Sequence, residues 1–161
     1  MLRIEIVRLH CVYQCLYTNT YMSSEPEYLG WLIKRVQYGH HRALDKRLAP
    51  LSVSLVQWNA LREIERNPGC SQHQLAERTF NSDQAFGSLL TRLLAADWIE
   101  RRPGTGRATI HRLTPSGRSL LLDGQRIMSE VISTSFAPLS KHERQMLARI
   151  LTKVLDARPT E

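Results

Sequence analysis

Cysteine is scarce in this chain and unhelpfully spaced: Cys11, Cys15 and Cys70 form an odd set without a CxxC pair. That excludes a disulfide framework and gives no zinc knuckle. The usage suits a reducing compartment, so the cytoplasm is the expected location. Long apolar runs are missing as well. None nears the roughly 20 residues that cross a bilayer, and the basic opening lacks the continuous apolar stretch and small-residue cleavage site of a secretory signal. No membrane association is expected. Phosphate-cradling glycine loops, nucleophile elbows and HExxH-type motifs are absent, the acids are scattered, and no two histidines have metal-ligand spacing. We therefore expect no enzyme, no metal and no cofactor.

Acidic residues are the remaining shortfall. Asp plus Glu number 15 against 22 Lys plus Arg, a net charge of +7, which suits a polyanionic partner. The 161 residues fit one domain, or a small reading head completed by further helices, and a dimer would bury more surface than one copy alone.

Along the chain, residues 1–25 stand apart as an extension whose β-branched and aromatic content suits either a strand or a short helix. Met22, followed by SSEPE, reads as the opening of a helical region. Apolar residues at Leu29, Leu32, Ile33, Val36, Ala43, Leu44 and Leu48 then keep a 3-4 spacing, which predicts a long amphipathic helix ended by Pro50. Ser54 with Gln57, Ser71 with Gln74, and Ser140 with Glu143 are capping-box pairs that predict three helix starts. Another helix is predicted from Asn81 or Ser82, with Phe86, Leu89, Leu90, Leu93 and Leu94 on one face and small or polar residues opposite. Two alternating segments, residues 98–102 and 107–113, flank the turn Pro103-Gly104-Thr105-Gly106 and predict a β-hairpin. Thr114-Pro115 opens a fifth helix that runs to about Ser135.

This order predicts a mainly α fold with a small β-hairpin wing, a winged helix-turn-helix inside a helical dimerisation frame. Residues 53–114 would form the DNA-binding domain, and residues 26–50 and 115–157 the helical dimerisation region. B-DNA's major groove admits one α-helix, and the helix from Ser82 suits it. Gln84 can read adenine bidentately, Ser88 and Thr91 can bond base or phosphate, and Ala85 can pack on a thymine methyl. Asp83 works against phosphate unless it caps the helix or accepts from cytosine. Residues 101–112 hold Arg101, Arg102, Arg107 and Arg112 with no acid, a local +4 suited to a minor groove. A winged helix serving only protein contacts is the alternative, and it predicts a wing without charge complementarity to DNA.

The runs LAPLSVSLVQWNALREIERNPGCSQHQLAERT and SDQAFGSLLTRLLAADWIERRPGTGRATIHRLTPSG, with the two closing helices, resemble the MarR family of bacterial regulators over roughly residues 27–157. The resemblance implies a homodimer with its first, fifth and sixth helices interlocked. It implies a pseudo-palindromic operator in double-stranded DNA, repression of a neighbouring gene, and release by a small, often aromatic or phenolic acid. By position it places Ser82, Gln84, Ala85, Gly87, Ser88, Thr91 and Arg92 on the recognition helix and Arg107 at the wing, and Arg101 joins them as a candidate DNA contact. The family's usual aspartate before the wing arginine is replaced here by the Gly104-Thr105-Gly106 turn. With no cysteine between residues 16 and 69, the family's redox sensing is not expected, and Cys70 reads as a packing residue. The family's effector pocket brings His40, His41, Trp58 and Met128 into consideration.

Overall fold

The computed structural model describes residues 24–104 and 109–157. The chain divides into two compact units, Met1–His41 and Arg42–Glu161. Helix α1 spans Glu25–Leu48 and a 3-10 turn, Ala49–Leu51, closes it where Pro50 removes a backbone donor. The apolar stripe expected on α1 is exposed at Leu29, Leu32, Ile33 and Val36, whereas Leu44 and Leu48 are buried.

Five more helices follow the predicted caps. In α2 (Leu55–Arg66), α3 (Gln72–Arg78) and α6 (Lys141–Asp156) the capping boxes are formed in full, serine oxygen to the N3 amide and the N3 side chain back to the serine amide. The Asp45 carboxylate also accepts from the Leu55 amide at 2.7 Å, tying the end of α1 to the start of α2. Helix α4 (Asp83–Ala95) is capped by Ser82, and α5 (Pro115–Phe136) by Thr114 with proline in its first turn.

Strands β1 (Ile99–Pro103) and β2 (Thr109–Leu113) pair antiparallel, with Ile99 opposite Leu113 and Pro103 opposite Thr109. Pro103 thus belongs to the strand rather than to the turn assigned from sequence. It sits on the last rung of a two-stranded ribbon, where a missing N–H costs no ladder bond that a neighbour needs.

One core cluster unites α2, α3, α4 and the wing base through Ala60, Leu61, Ile64, Leu75, Phe86, Leu89, Leu93, Ile99 and Leu113. A second joins Leu44, Leu48, Val53, Leu55 and Trp58 to the inner side of α5, at Leu121, Met128 and Val131. Trp58 is fully enclosed and its indole N–H donates to the Leu121 carbonyl at 3.2 Å. Helix α6 buries none of its residues in the single chain, and Ile150, Val154 and Leu155 are more than half exposed.

Candidate nucleic-acid interface

Helix α4 owes its orientation to its apolar face. Phe86, Leu89, Leu90 and Leu93 are sunk in the core, so the opposite face must look outward. On that face Gln84, Ala85, Ser88, Thr91 and Arg92 are exposed, beside the cap Ser82. The hydroxyls of Ser88 and Thr91 each donate to the carbonyl one turn back, of Gln84 and Gly87, at 3.1 Å. Their lone pairs remain as acceptors. Gly87 is half-buried beneath Gln72, whose amide donates to the Asp83 carbonyl at 3.2 Å, and a Cβ at Gly87 would stand 3.0 Å from that amide nitrogen.

Asp83 is answered by an arrangement that sequence reasoning missed. Ser82, not Asp83, caps the helix; the Asp83 carboxylate instead faces His73 of α3, with both oxygens 3.0 Å from Nδ1. Glu77 lies 3.6 Å from the other ring nitrogen. The bond to Asp83, then the charges of Asp83 and Glu77, raise the His73 pKa above its ordinary value. No local signal announces this pair, because ten residues and a helix corner separate its members.

Strand alternation sends Arg101 and His111, which are register partners, to the α4 side of the hairpin. With Gln72, His73 and Gly87 they line a cleft of about 470 Å³ between α3, α4 and the wing. His111 is 7% exposed and its Nδ1 has no partner among the described residues. Burial first, and the Arg101 charge second, push its pKa below the ordinary value. Arg107 lies outside the described residues, as do Cys11 and Cys15.

The effector candidates are distributed. His40 and His41 are half-buried on the part of α1 that belongs to the first unit. Met128 is half-buried beside the cluster that contains the enclosed Trp58. Cys70 is half-buried and packs against the core of the reading head. Among the described residues, no group of three His, Cys, Asp or Glu side chains could hold a metal ion, and no helix is long and apolar enough to cross a membrane.

Two short helices meeting at a tight corner, a hairpin after the second, and a flanking helix on each side define a winged helix-turn-helix of the regulator type. Residues 51–108 match the MarR family. The chain is 27% identical over 128 residues to the HTH-type transcriptional repressor Rv2887 of Mycobacterium tuberculosis, covering 78% of this chain and 92% of the relative. The crystal structure of that MarR family protein in complex with salicylic acid is similar at a TM-score of 0.65 and 26% identity, over 78% of this chain and 95% of the other. A mutant of MarR from E. coli, complexed with operator DNA, is similar at a TM-score of 0.71 and 25% identity, over 79% and 93% of the two chains. The chain is thus similar to the MarR family of transcriptional regulators, in the winged helix-turn-helix that the family model matches and over most of its length to the relatives above.

Proposed function

We propose that the chain is a homodimeric, sequence-specific DNA-binding regulator, a repressor that releases its operator when a small aromatic or phenolic acid binds. The observation that carries this is the outward face of α4. Gln84, Ala85, Ser88, Thr91 and Arg92 are exposed together, and the one acid at the helix start is held by His73. Donors, acceptors and a small apolar group on one free helical face are what base edges in a major groove require. Ser82, Gly87, Arg101 and Arg107 complete the proposed contact set. Residues 53–114 serve as the DNA-binding domain, and residues 26–50 and 115–157 as the dimerisation region. The reading carries no enzymatic step and places the protein in the cytoplasm.

Two relatives support the two partners: Rv2887 is a transcriptional repressor solved with salicylic acid, and the E. coli MarR mutant was solved with operator DNA. For the effector, half-buried His40, His41 and Met128 have surface to offer, whereas the enclosed Trp58 needs α5 to move before a ligand can touch it.

The test is a gel-shift titration of the full chain against the DNA upstream of its own gene, with excess unrelated competitor. The expected result is a discrete complex that survives competitor and dissolves on addition of salicylate or a related aromatic acid. Binding that competitor abolishes would overturn the reading.

A further inference from the structure

The corner between α3 and α4 carries a residue whose side chain the fold does not use. Phe80 is 91% exposed. Its backbone is left-handed, with φ of 56°, a conformation that bulky side chains disfavour and that glycine or asparagine adopts readily. Among the described residues, the other non-glycine positions of this kind are Ser52 and Asp97, both small and polar. The corner itself is held without the ring. The amides of Phe80 and Asn81 donate to the carbonyls of Glu77 and Ala76 at 3.1 and 2.9 Å. The Asn81 side-chain amide donates to the Thr79 carbonyl at 2.9 Å and to its hydroxyl at 3.0 Å, and that hydroxyl donates to the Leu75 carbonyl at 2.8 Å. A single exposed apolar side chain is ordinary. An exposed phenyl ring on a braced, strained backbone is not, because neither burial nor backbone preference favours phenylalanine there.

We propose that Phe80 is a specificity-determining residue, whose ring packs on the methyl group of a thymine at the edge of the sequence that α4 reads. The proposal rests on the DNA-binding reading above. Phe80 stands two residues before Ser82, the cap of α4. A recognition helix meets the base edges of the major groove with its N-terminal residues, so a ring carried just ahead of that end enters the groove with Gln84 and Ala85. The thymine methyl is the apolar group that the major groove displays, and phenylalanine is among the side chains that contact it. The braced corner fixes the backbone before binding, so little backbone freedom is lost on contact. A protein partner would also accept an exposed ring. DNA is favoured by continuity with the exposed face of α4. Along the chain the exposed neighbours of Phe80 are Glu77, Arg78 and Ser82, all polar, so the ring is not part of an apolar stretch of the kind a protein partner covers.

The experiment uses the shortest duplex from the DNA upstream of the protein's own gene that gives the discrete complex. Each thymine is replaced in turn by deoxyuridine, which removes the methyl group and leaves base pairing intact. Anisotropy titrations compare the full chain with Phe80→Ala, Phe80→Leu and Phe80→Asn. At one thymine of a half-site, wild type is expected to lose about three- to fivefold in affinity, the worth of one buried methyl or methylene group. Phe80→Ala and Phe80→Asn should bind thymine and uracil equally at that position, and Phe80→Leu should keep part of the preference. The salt slope between about 50 and 200 mM should be the same in all four proteins, because the ring neutralises no phosphate. Phe80→Asn should melt no lower than wild type, since asparagine tolerates the left-handed backbone. Two results would overturn the proposal and leave the DNA-binding reading intact. One is a response to uracil that is the same in wild type and Phe80→Ala at every thymine. The other is a Phe80→Asn midpoint several degrees below wild type, which would assign the ring to the fold. Absence of a discrete wild-type complex overturns the DNA-binding reading, and this one with it.

Discussion

A carboxylate in the first turn of a helix that must approach phosphate is a repulsive charge, and Asp83 occupies that position in α4. His73 neutralises it when protonated. Because the folded pKa of His73 is raised above 6.5, the attraction to Asp83 is fully present below pH 6.5 and is lost as pH rises through the folded value. Operator affinity is accordingly predicted to fall as pH rises from about 6 to about 8, and His73→Gln to flatten that profile at the weaker level. Anisotropy titrations across the pH series check it; an unchanged profile in His73→Gln would remove the pair from recognition. His111 runs the other way. Its folded pKa lies below 6.5, so its contribution to stability is complete above pH 6.5 and is lost as pH falls through the folded value. Thermal midpoints should drop on acidification, and His111→Leu should weaken that dependence. Gln84 makes the sharpest residue-scale prediction. Gln84→Ala should cost about 1–3 kcal/mol at one operator position while sparing non-specific binding. Measured across single-base operator variants, a uniform loss would contradict a reading role.

At the scale of elements, helix starts were legible, and so were the positions of most ends, but not the backbone conformation at the exits of α3 and α4. A capping box is written in four consecutive residues, so Ser54, Ser71 and Ser140 announced their helices in the sequence, and all three boxes form. The exits of α3 and α4 carry no glycine. Phe80 and Asp97 nevertheless adopt left-handed backbone, with φ of 56° and 55°. The following amides, of Asn81 and Trp98, reach back to the carbonyls of Ala76 and Leu93. Both helices therefore end in Schellman motifs built on residues that pay a steric cost there, which pattern reading assigns to a generic turn. The His73–Asp83 pair was illegible for a related reason, since it depends on the angle between α3 and α4. Contact between α5 and the reading head was equally hidden. A Cβ on Gly124 would lie 2.1 Å from the Trp58 indole nitrogen, and one on Gly117 would lie 2.0 Å from the Trp98 carbonyl oxygen. Gly124→Ala must displace an enclosed tryptophan and break its bond to Leu121, a destabilisation of about 2–4 kcal/mol. Denaturant midpoints measure this, and a loss below about 0.5 kcal/mol, the range of an ordinary surface substitution, would show that the contact yields freely.

For the whole molecule, the notable fact is how much apolar side chain one copy leaves in water. Leu29, Ile33 and Val36 of α1, and Ile150, Val154 and Leu155 of α6, are each about half exposed or more. Side chains spaced at helical intervals on two separate helices form stripes of the kind that mark an interface. The amphipathic pattern of both helices was visible in the sequence, but not which part of the α1 stripe, Leu44 and Leu48, the protomer buries for itself. Ile150→Glu places a charge in the α6 stripe without touching a buried residue of the protomer. It is predicted to convert the dimer to a folded monomer in sedimentation velocity, with far-ultraviolet circular dichroism unchanged. A dimer that survives the substitution would exclude the α6 stripe from the interface.

Two reading helices related by a two-fold axis must meet a duplex with the same symmetry. Hydroxyl-radical footprinting of the DNA upstream of the protein's own gene tests this most directly. The account predicts two protected half-sites about one helical turn apart, roughly 34–36 Å, on one face of the duplex and related by an inverted repeat. It also predicts that both protections vanish together in Ile150→Glu. A single continuous protection without dyad symmetry, or half-sites that the monomeric variant still protects, would contradict it.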